Sequence, residues 1–380
     1  MTCVRSVGLG LVACTLAAVA AAGCTGKTPP EPILLGHVAP LTGPDKAAGV
    51  HAKQGILLAV EEANQDDNLV LGRKVNVVHA DAPTPEAAQA EATRLLTVNK
   101  AVALLGGAGA AQAERLARAA QSGGAPLVTQ TGLPAALVNE HVFSSDVAPA
   151  RLGQVLARYA KEELKAGRAA VLADARSPAC AALADGFATE FGRDAAPVLE
   201  HRAAADLAGA AGRAAKGKPA AVLVAGPAGD FGKARAELAK ALPNVPLLFG
   251  GDTADTAALL ANPDAAAGVA VATPYAAEAP GAANEAFVKA YRERFKEAPD
   301  ASAALAYDGA RMLFEALRQA KGTAPATVRE QLGKLDGFAG LTGPLAVGKG
   351  RHARRPVFVA RAEAGGVKLL KAYEPDARQK

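Results

Sequence analysis

The chain has 380 residues, 50% of them hydrophobic, with 39 glycines and 24 prolines, enough for two cores of ordinary domain size and many turns. Its formal net charge is only +5, aromatic residues make up 4%, and basic residues are scattered apart from Arg351 to Arg355. This excludes a phosphate-tracking or base-stacking nucleic-acid surface, and the RHARR run reads as a solvated loop.

Residues 1–23 carry a single positive charge, Arg5, and an apolar span from Val7 to Ala22 that ends in Ala21-Ala22-Gly23-Cys24. The pattern resembles a bacterial lipoprotein signal: small residues suit a signal peptidase, and the Cys24 thiol would take a lipid that anchors the chain without spanning the membrane. Ala21 stands where such signals usually have leucine, so an ordinary secretory signal with Cys24 left free is the alternative. Either way the chain is expected to be exported. Thr25 follows the cysteine, and which membrane holds the tether stays open. No later segment is long and apolar enough to span a bilayer.

Residues 33–39 form a short apolar run stopped by Pro40, as expected of a strand covered on both faces in a parallel sheet. Leu41 to Gly49 reads as a loop. Apolar residues return at Ile56, Leu57, Ala59, Val60 and Ala63 with helical spacing, leaving Glu61, Glu62 and Asn64 to solvent. The patterning predicts strands at 33–39, 74–80, 102–106 and 126–129, with helices at 51–64, 85–98 and 110–121. A second half repeats the grammar, with strands at 169–173, 197–202, 220–225, 246–249 and 268–272 and helices at 151–165, 179–191, 205–215 and 229–241. A strand after every helix means right-handed crossovers and parallel sheets, hence an α/β fold. Residues 283–298 and 301–320 are two amphipathic helices, and 356–373 alternates around a Gly-Gly turn as a hairpin.

The segments APLTG (39–43), GILLAVEEAN (55–64), LGRKVNVVHADAPTPEAAQAEATRLL (71–96), VALLGGAG (102–109) and LAYDGARMLFEAL (305–317) occur in a characteristic order and spacing. Over nearly all of residues 33–373 the chain resembles the branched-chain amino-acid type of periplasmic solute-binding protein, the receptor component of an ABC importer. The resemblance implies two Rossmann-like lobes with parallel sheets joined by a three-crossing hinge. The N-terminal lobe would comprise 31–147 plus 275–345 and the C-terminal lobe 148–274 plus 346–380, after a signal peptide at 1–23 and a tether at 24–32. It further implies a monomer whose lobes close on an amino acid or related small solute and deliver it to a permease in the inner membrane. No enzymatic activity, cofactor, metal or nucleic acid is expected.

In open α/β sheets ligands bind beyond the carboxyl ends of the strands, at helix N-termini whose free N–H groups attract anions. Four loops qualify. The resemblance implies that the loops 106–114 and 129–137 hold the carboxylate of an amino acid. The family's serine falls on Ala110, next to Gly109; the second loop matches at Thr131, Gly132 and Leu133, with Leu133 in place of a threonine. Thr129 or Thr131 is left to supply a hydroxyl, beside the backbone donors of Ala110, Thr131 and Leu133. In the third loop, 249–255, Asp252 takes the place of the acid that pairs with the ligand's ammonium, since a desolvated carboxylate needs a partner; its other reading is a helix N-cap. In the fourth, 225–232, Pro227 stands where the family has an aromatic contact. Pro178 and Ala48 occupy two further aromatic positions, which implies a bulkier or less closely read ligand, with Tyr275 as substitute surface or as hinge packing.

Cys3 and Cys14 leave with the signal, and the positions of the family's disulfide fall on Pro83 and Gly109, so no internal disulfide is expected. Cys180 remains near a helix N-terminus, a place that lowers a thiol pKa, but reads as a buried and inert cysteine. The GAGAAQ segment lacks the third glycine of a dinucleotide fingerprint. Hydrolase and zinc motifs are missing as well. His37 and His79, on neighbouring strands, read as satisfied core residues. The main alternative is an envelope lipoprotein of the same fold that acts by docking on protein; Asp252 and the complete GGAG loop point to the solute receptor.

Overall fold

In the computed structural model, residues 30–174, 176–192, 195–200, 206–363 and 366–375 are described; the signal segment and Cys24 lie outside them. Strand β1 (Ile33–Ala39) leads through helix α1 (Lys46–Ala63) to β2 (Val75–Asp81), then α2 (Pro85–Thr97), β3 (Leu104–Gly106), α3 (Ala110–Gly123), β4 (Leu127–Thr129) and β5 (Val142–Ser144). The five strands form a parallel sheet of order β2-β1-β3-β4-β5. Helix α1 begins at Lys46, five residues before the expected start at His51, because Lys46 to Val50, with Ala48 and Gly49 buried, continue the helix in place of the loop. Strand β5 was not legible in the sequence: three residues are too short to show a period.

The chain continues through α4 (Pro149–Glu162), β6 (Ala169–Ala173), α5 (Pro178–Phe191), β7 (Ala195–Glu200), α6 (Leu207–Lys216), β8 (Ala221–Ala225), α7 (Ala228–Ala241) and β9 (Leu247–Gly250). Helices α8 (Thr253–Leu260) and α9 (Pro263–Ala266) precede β10 (Ala270–Thr273). Helices α10 (Ala282–Phe295), α11 (Ala301–Ala320) and α12 (Pro325–Gly333) follow, then a small sheet of β11 (Phe338–Gly340), β12 (Gly343–Val347) and β13 (Ala353–Arg354), which the sequence pattern did not predict. The hairpin of β14 (Val357–Glu363) and β15 (Gly366–Tyr373) adds two antiparallel strands to a seven-stranded sheet of order β15-β14-β10-β9-β8-β6-β7.

Apolar strands carry helices on both faces. On the first sheet, Ile33 and Leu35 pack with Ile56 of α1 and Phe314 of α11, while Val38, Leu104 and Leu127 pack with Leu95 of α2 and Leu116 of α3. On the second, Val171, Leu223 and Leu248 pack with Leu156 and Phe187 of α4 and α5, and Leu172, Val224 and Phe249 pack with Phe231 and Leu259 of α7 and α8. Helices α4 and α5 approach closely because a glycine on each faces the backbone of the other. A Cβ on Gly153 would stand 1.9 Å from Leu183 O, and one on Gly186 2.1 Å from Ala150 O.

The chain passes between the sheets three times: after β5, after β10 and before β14. Arg355 lies at these passages. It is 2% exposed; its guanidinium donates to Ser145 O and to Thr342 Oγ1, each at 3.1 Å, and pairs with the buried Asp308 of α11 at 3.1 Å. The RHARR run is therefore not a solvated loop. His352 is also buried, and its Nε2 accepts the Leu133 N–H at 3.1 Å.

His37 and His79 face each other in the β1–β2 register with Nδ1 atoms 2.9 Å apart, so one imidazole donates and the other accepts. They are only half satisfied, since buried Nε2 of His37 has no hydrogen-bond partner. Burial, together with the nearby Lys53 charge, lowers both pKa values, that of His79 to about 4.

Candidate functional site

The loops that follow parallel strands in both sheets converge on one cavity of about 160 Å³. From the first sheet come Ala110 and Ala111 after β3, Thr131 and Gly132 after β4, and Asp146 and Val147 after β5. The second sheet contributes Ser177, Cys180 and Leu183 after β6, Pro227 after β8, and Gly251, Asp252 and Asp255 after β9.

Asp252 ends the loop after β9 and is the N-cap of α8: its Oδ1 accepts the Asp255 N–H at 3.0 Å. Its other oxygen, Oδ2, accepts the Ala110 N–H at 2.8 Å, at the first residue of α3 on the opposite sheet. A helix start offers unsatisfied donors and a positive dipole end, so a carboxylate is the natural occupant. Burial raises the pKa of Asp252, opposed by the N–H groups of Ala110, Asp255 and Ala254.

Thr253, one residue on, makes a second bridge. Its hydroxyl lies 2.8 Å from Asp146 Oδ2 and 3.0 Å from Gln130 O, with one proton to donate, and its N–H points to Thr131 Oγ1 at 3.4 Å. Asp146 also accepts from Gly132 N at 3.2 Å and from Val147 N at 2.6 Å. Even so, burial pushes its pKa up to about 6. Asp255 accepts from Ala228 N, at the start of α7, at 2.9 Å. Its pKa is pushed up to about 8, first by burial and then by the adjacent Asp252 charge. The cavity thus brings three carboxylates together, and no Lys, Arg or His is among its lining residues.

Of the residues expected from the sequence, Asp252, Thr131, Gly132, Ala110 and Pro227 line this cavity. Gly109 stands behind it, where an added Cβ would sit 3.4 Å from Asp252 Oδ2. The expected backbone donors are not all free: Ala110 N–H is taken by Asp252 and Leu133 N–H by His352. Leu133 itself packs among the α2 and α3 side chains. Thr129 is buried, and its hydroxyl bonds within the strand ends, to Thr131 O at 2.9 Å. Ala48 is buried away from the cavity lining. Tyr275 packs edge-on to Phe287 and borders a different cavity beside His51 and Asp300.

Cys180 is buried, as expected, and lines the cavity; desolvation pushes its thiol up to about 12, the opposite of what a helix start alone would do. The sequence reading missed Asp146 because it missed the strand that places it, and missed Asp255 as a cavity residue because an acid in the first turn of a helix is ordinary in sequence.

Residues 32–367 match the family model described as periplasmic binding protein. Among curated proteins none matches the chain. A leucine-binding protein, LivK, of Thermotoga maritima superposes with a TM-score of 0.80 at 22% identity, covering 90% of this chain and 99% of that one. The branched-chain amino acid transporter substrate-binding protein LivJ of Streptococcus pneumoniae, in complex with isoleucine, gives 0.75 at 22% identity, covering 91% and 99%. An ABC transporter solute-binding protein of R. palustris in complex with 4-hydroxybenzoate gives 0.78 at 20% identity, covering 92% and 98%. The chain therefore belongs to the periplasmic binding protein family.

Proposed function

We propose that the chain captures an amino acid or related small solute in the cavity between its two sheets and delivers it to a membrane permease. The observation that carries this reading is the convergence of strand-end loops from both sheets on one cavity, with Asp252 of one side bonded to the α3 start of the other. Such a joint forms only when the halves are together, which is the geometry of hinge closure. Arg355 at the three passages supports a hinge between lobes that run over 31–147 plus 275–345 and 148–274 plus 346–380. Isoleucine and 4-hydroxybenzoate in related folds support a small solute without fixing its class. The amino-terminal pattern supports export and a lipid tether at Cys24.

The test is the melting temperature of the mature chain, from Thr25 onward, against amino acids, their keto-acid analogues, aromatic acids, polyamines and short peptides. A ligand at about a thousand times its Kd adds roughly 4 kcal/mol, a visible shift. Silence across the panel, in protein free of retained ligand, would favour the docking lipoprotein over the receptor.

A further inference from the structure

The electrostatics of the cavity narrow the solute class. An amino acid held between these loops needs donors for its carboxylate and acceptors for its ammonium. Two of the donors expected for the carboxylate are taken, Ala110 N–H by Asp252 and Leu133 N–H by His352, and the neighbouring Gly132 N–H goes to Asp146. The acceptors are in excess, since Asp146, Asp252 and Asp255 all line the space without a basic residue among the lining. We infer that the solute is a small organic cation, an amine with an apolar body and no carboxylate of its own, because Asp252 occupies the position that a solute carboxylate would need.

The inference rests on the receptor reading above and refines it. A carboxylate brought into this space would compete with Asp252 for the α3 start and meet like charges at short range in a desolvated site. An ammonium would meet Asp146 and Asp252 with the opposite sign, and on binding at neutral pH would drive off the proton that Asp255 holds in the free protein. The raised pKa values of Asp146 and Asp255 come first from burial, with the Asp252 charge adding at Asp255 and the Arg355 charge opposing at Asp146. The walls are apolar, formed by Val147, Leu152, Leu183 and Pro227, and suit a hydrocarbon body. Among the described residues no group of three or more His, Cys, Asp or Glu side chains is placed to hold a metal ion, so the geometry favours an organic cation over a metal.

Three probes share one branched skeleton: isoamylamine with the amine alone, leucine with amine and carboxylate, and 4-methylpentanoate with the carboxylate alone. Cadaverine adds a second, linear amine. Calorimetric titration at neutral pH is expected to give an amine, isoamylamine or cadaverine, bound at least about tenfold more tightly than leucine, with 4-methylpentanoate weakest. Asp255→Asn keeps an acceptor for Ala228 N–H and should weaken the amine by about tenfold while leaving the melting temperature of the free protein unchanged or higher. Tightest binding of leucine or 4-methylpentanoate would overturn the cation inference and leave the receptor standing. So would an amine affinity indifferent to both Asp255→Asn and Asp252→Asn. No binding by these probes or by the wider panel would remove both readings.

Discussion

The carboxylate of Asp252 accepts the backbone N–H of Ala110 at 2.8 Å across 142 residues of sequence, joining the start of α8 to the start of α3. One side chain therefore caps its own helix and closes the cleft against another.

Because the two roles use different oxygens, two substitutions separate them. Asp252→Ala removes the cap and strands the Ala110 N–H, and should cost about 1–3 kcal/mol in urea denaturation. Asp252→Asn keeps a good cap but has only one acceptor oxygen, so it strands the Ala110 N–H and should fall between the alanine variant and wild type in stability while losing the charge that attracts a cation. Equal stability of the alanine variant and wild type would mean that the cap and the bridge contribute nothing.

Arg355 and Asp308 form an ion pair that is buried on both sides. Arg355→Met alone should destabilise by about 3 kcal/mol, because the buried Asp308 keeps only the longer Arg311 contact at 3.8 Å and the Leu341 N–H. Arg355→Met with Asp308→Leu should recover much of that loss. Chemical denaturation of the three proteins checks it; additive losses in the double variant would show that the two groups do not act as a pair.

The titrating groups set opposite pH dependences. Asp255 has a folded pKa of about 8 against an ordinary 3.8, so between these values the folded chain holds a proton that the unfolded chain has lost. Its contribution is fully present below 3.8 and declines as pH rises toward 8; Asp146, at about 6, behaves likewise over a narrower span. His79 is lowered from 6.5 to about 4, so its contribution is present above 6.5 and declines as pH falls toward 4. The groups facing Asp255 are Asp252 and Asp45, both acids, with Cys180 uncharged beside them. Melting temperatures from pH 4 to 9 should fall toward both ends, and Asp255→Asn should flatten the alkaline side. An unchanged alkaline slope in that variant would contradict the assignment.

Cys180 supplies an independent probe of the cavity. With its thiol near 12 and buried, its thiolate fraction at pH 8 is roughly a thousandfold below that of an ordinary thiol, so native alkylation should be slow and should accelerate on unfolding. A bound solute should slow it further. Rapid alkylation of the native protein, followed by mass, would place the thiol in solvent.

The sequence by itself determined the α/β alternation. Runs such as 33–39, 169–173 and 221–225 are short and apolar apart from His37, and the helices between them carry an apolar stripe, patterns that a local window contains. It also placed Asp252, Thr131, Gly132, Ala110 and Pro227 on strand-end loops, because those loops follow directly from the strand ends. Only the tertiary structure decided that the α3 start is already filled by Asp252, that Asp146 and Asp255 share the cavity, and that Arg355 is buried against Asp308 and not in a solvated loop. Each of these depends on residues far apart in the chain meeting in a desolvated space. Charge, burial and hydrogen bonding there are properties of the assembled pair, and neither partner's sequence neighbourhood carries them.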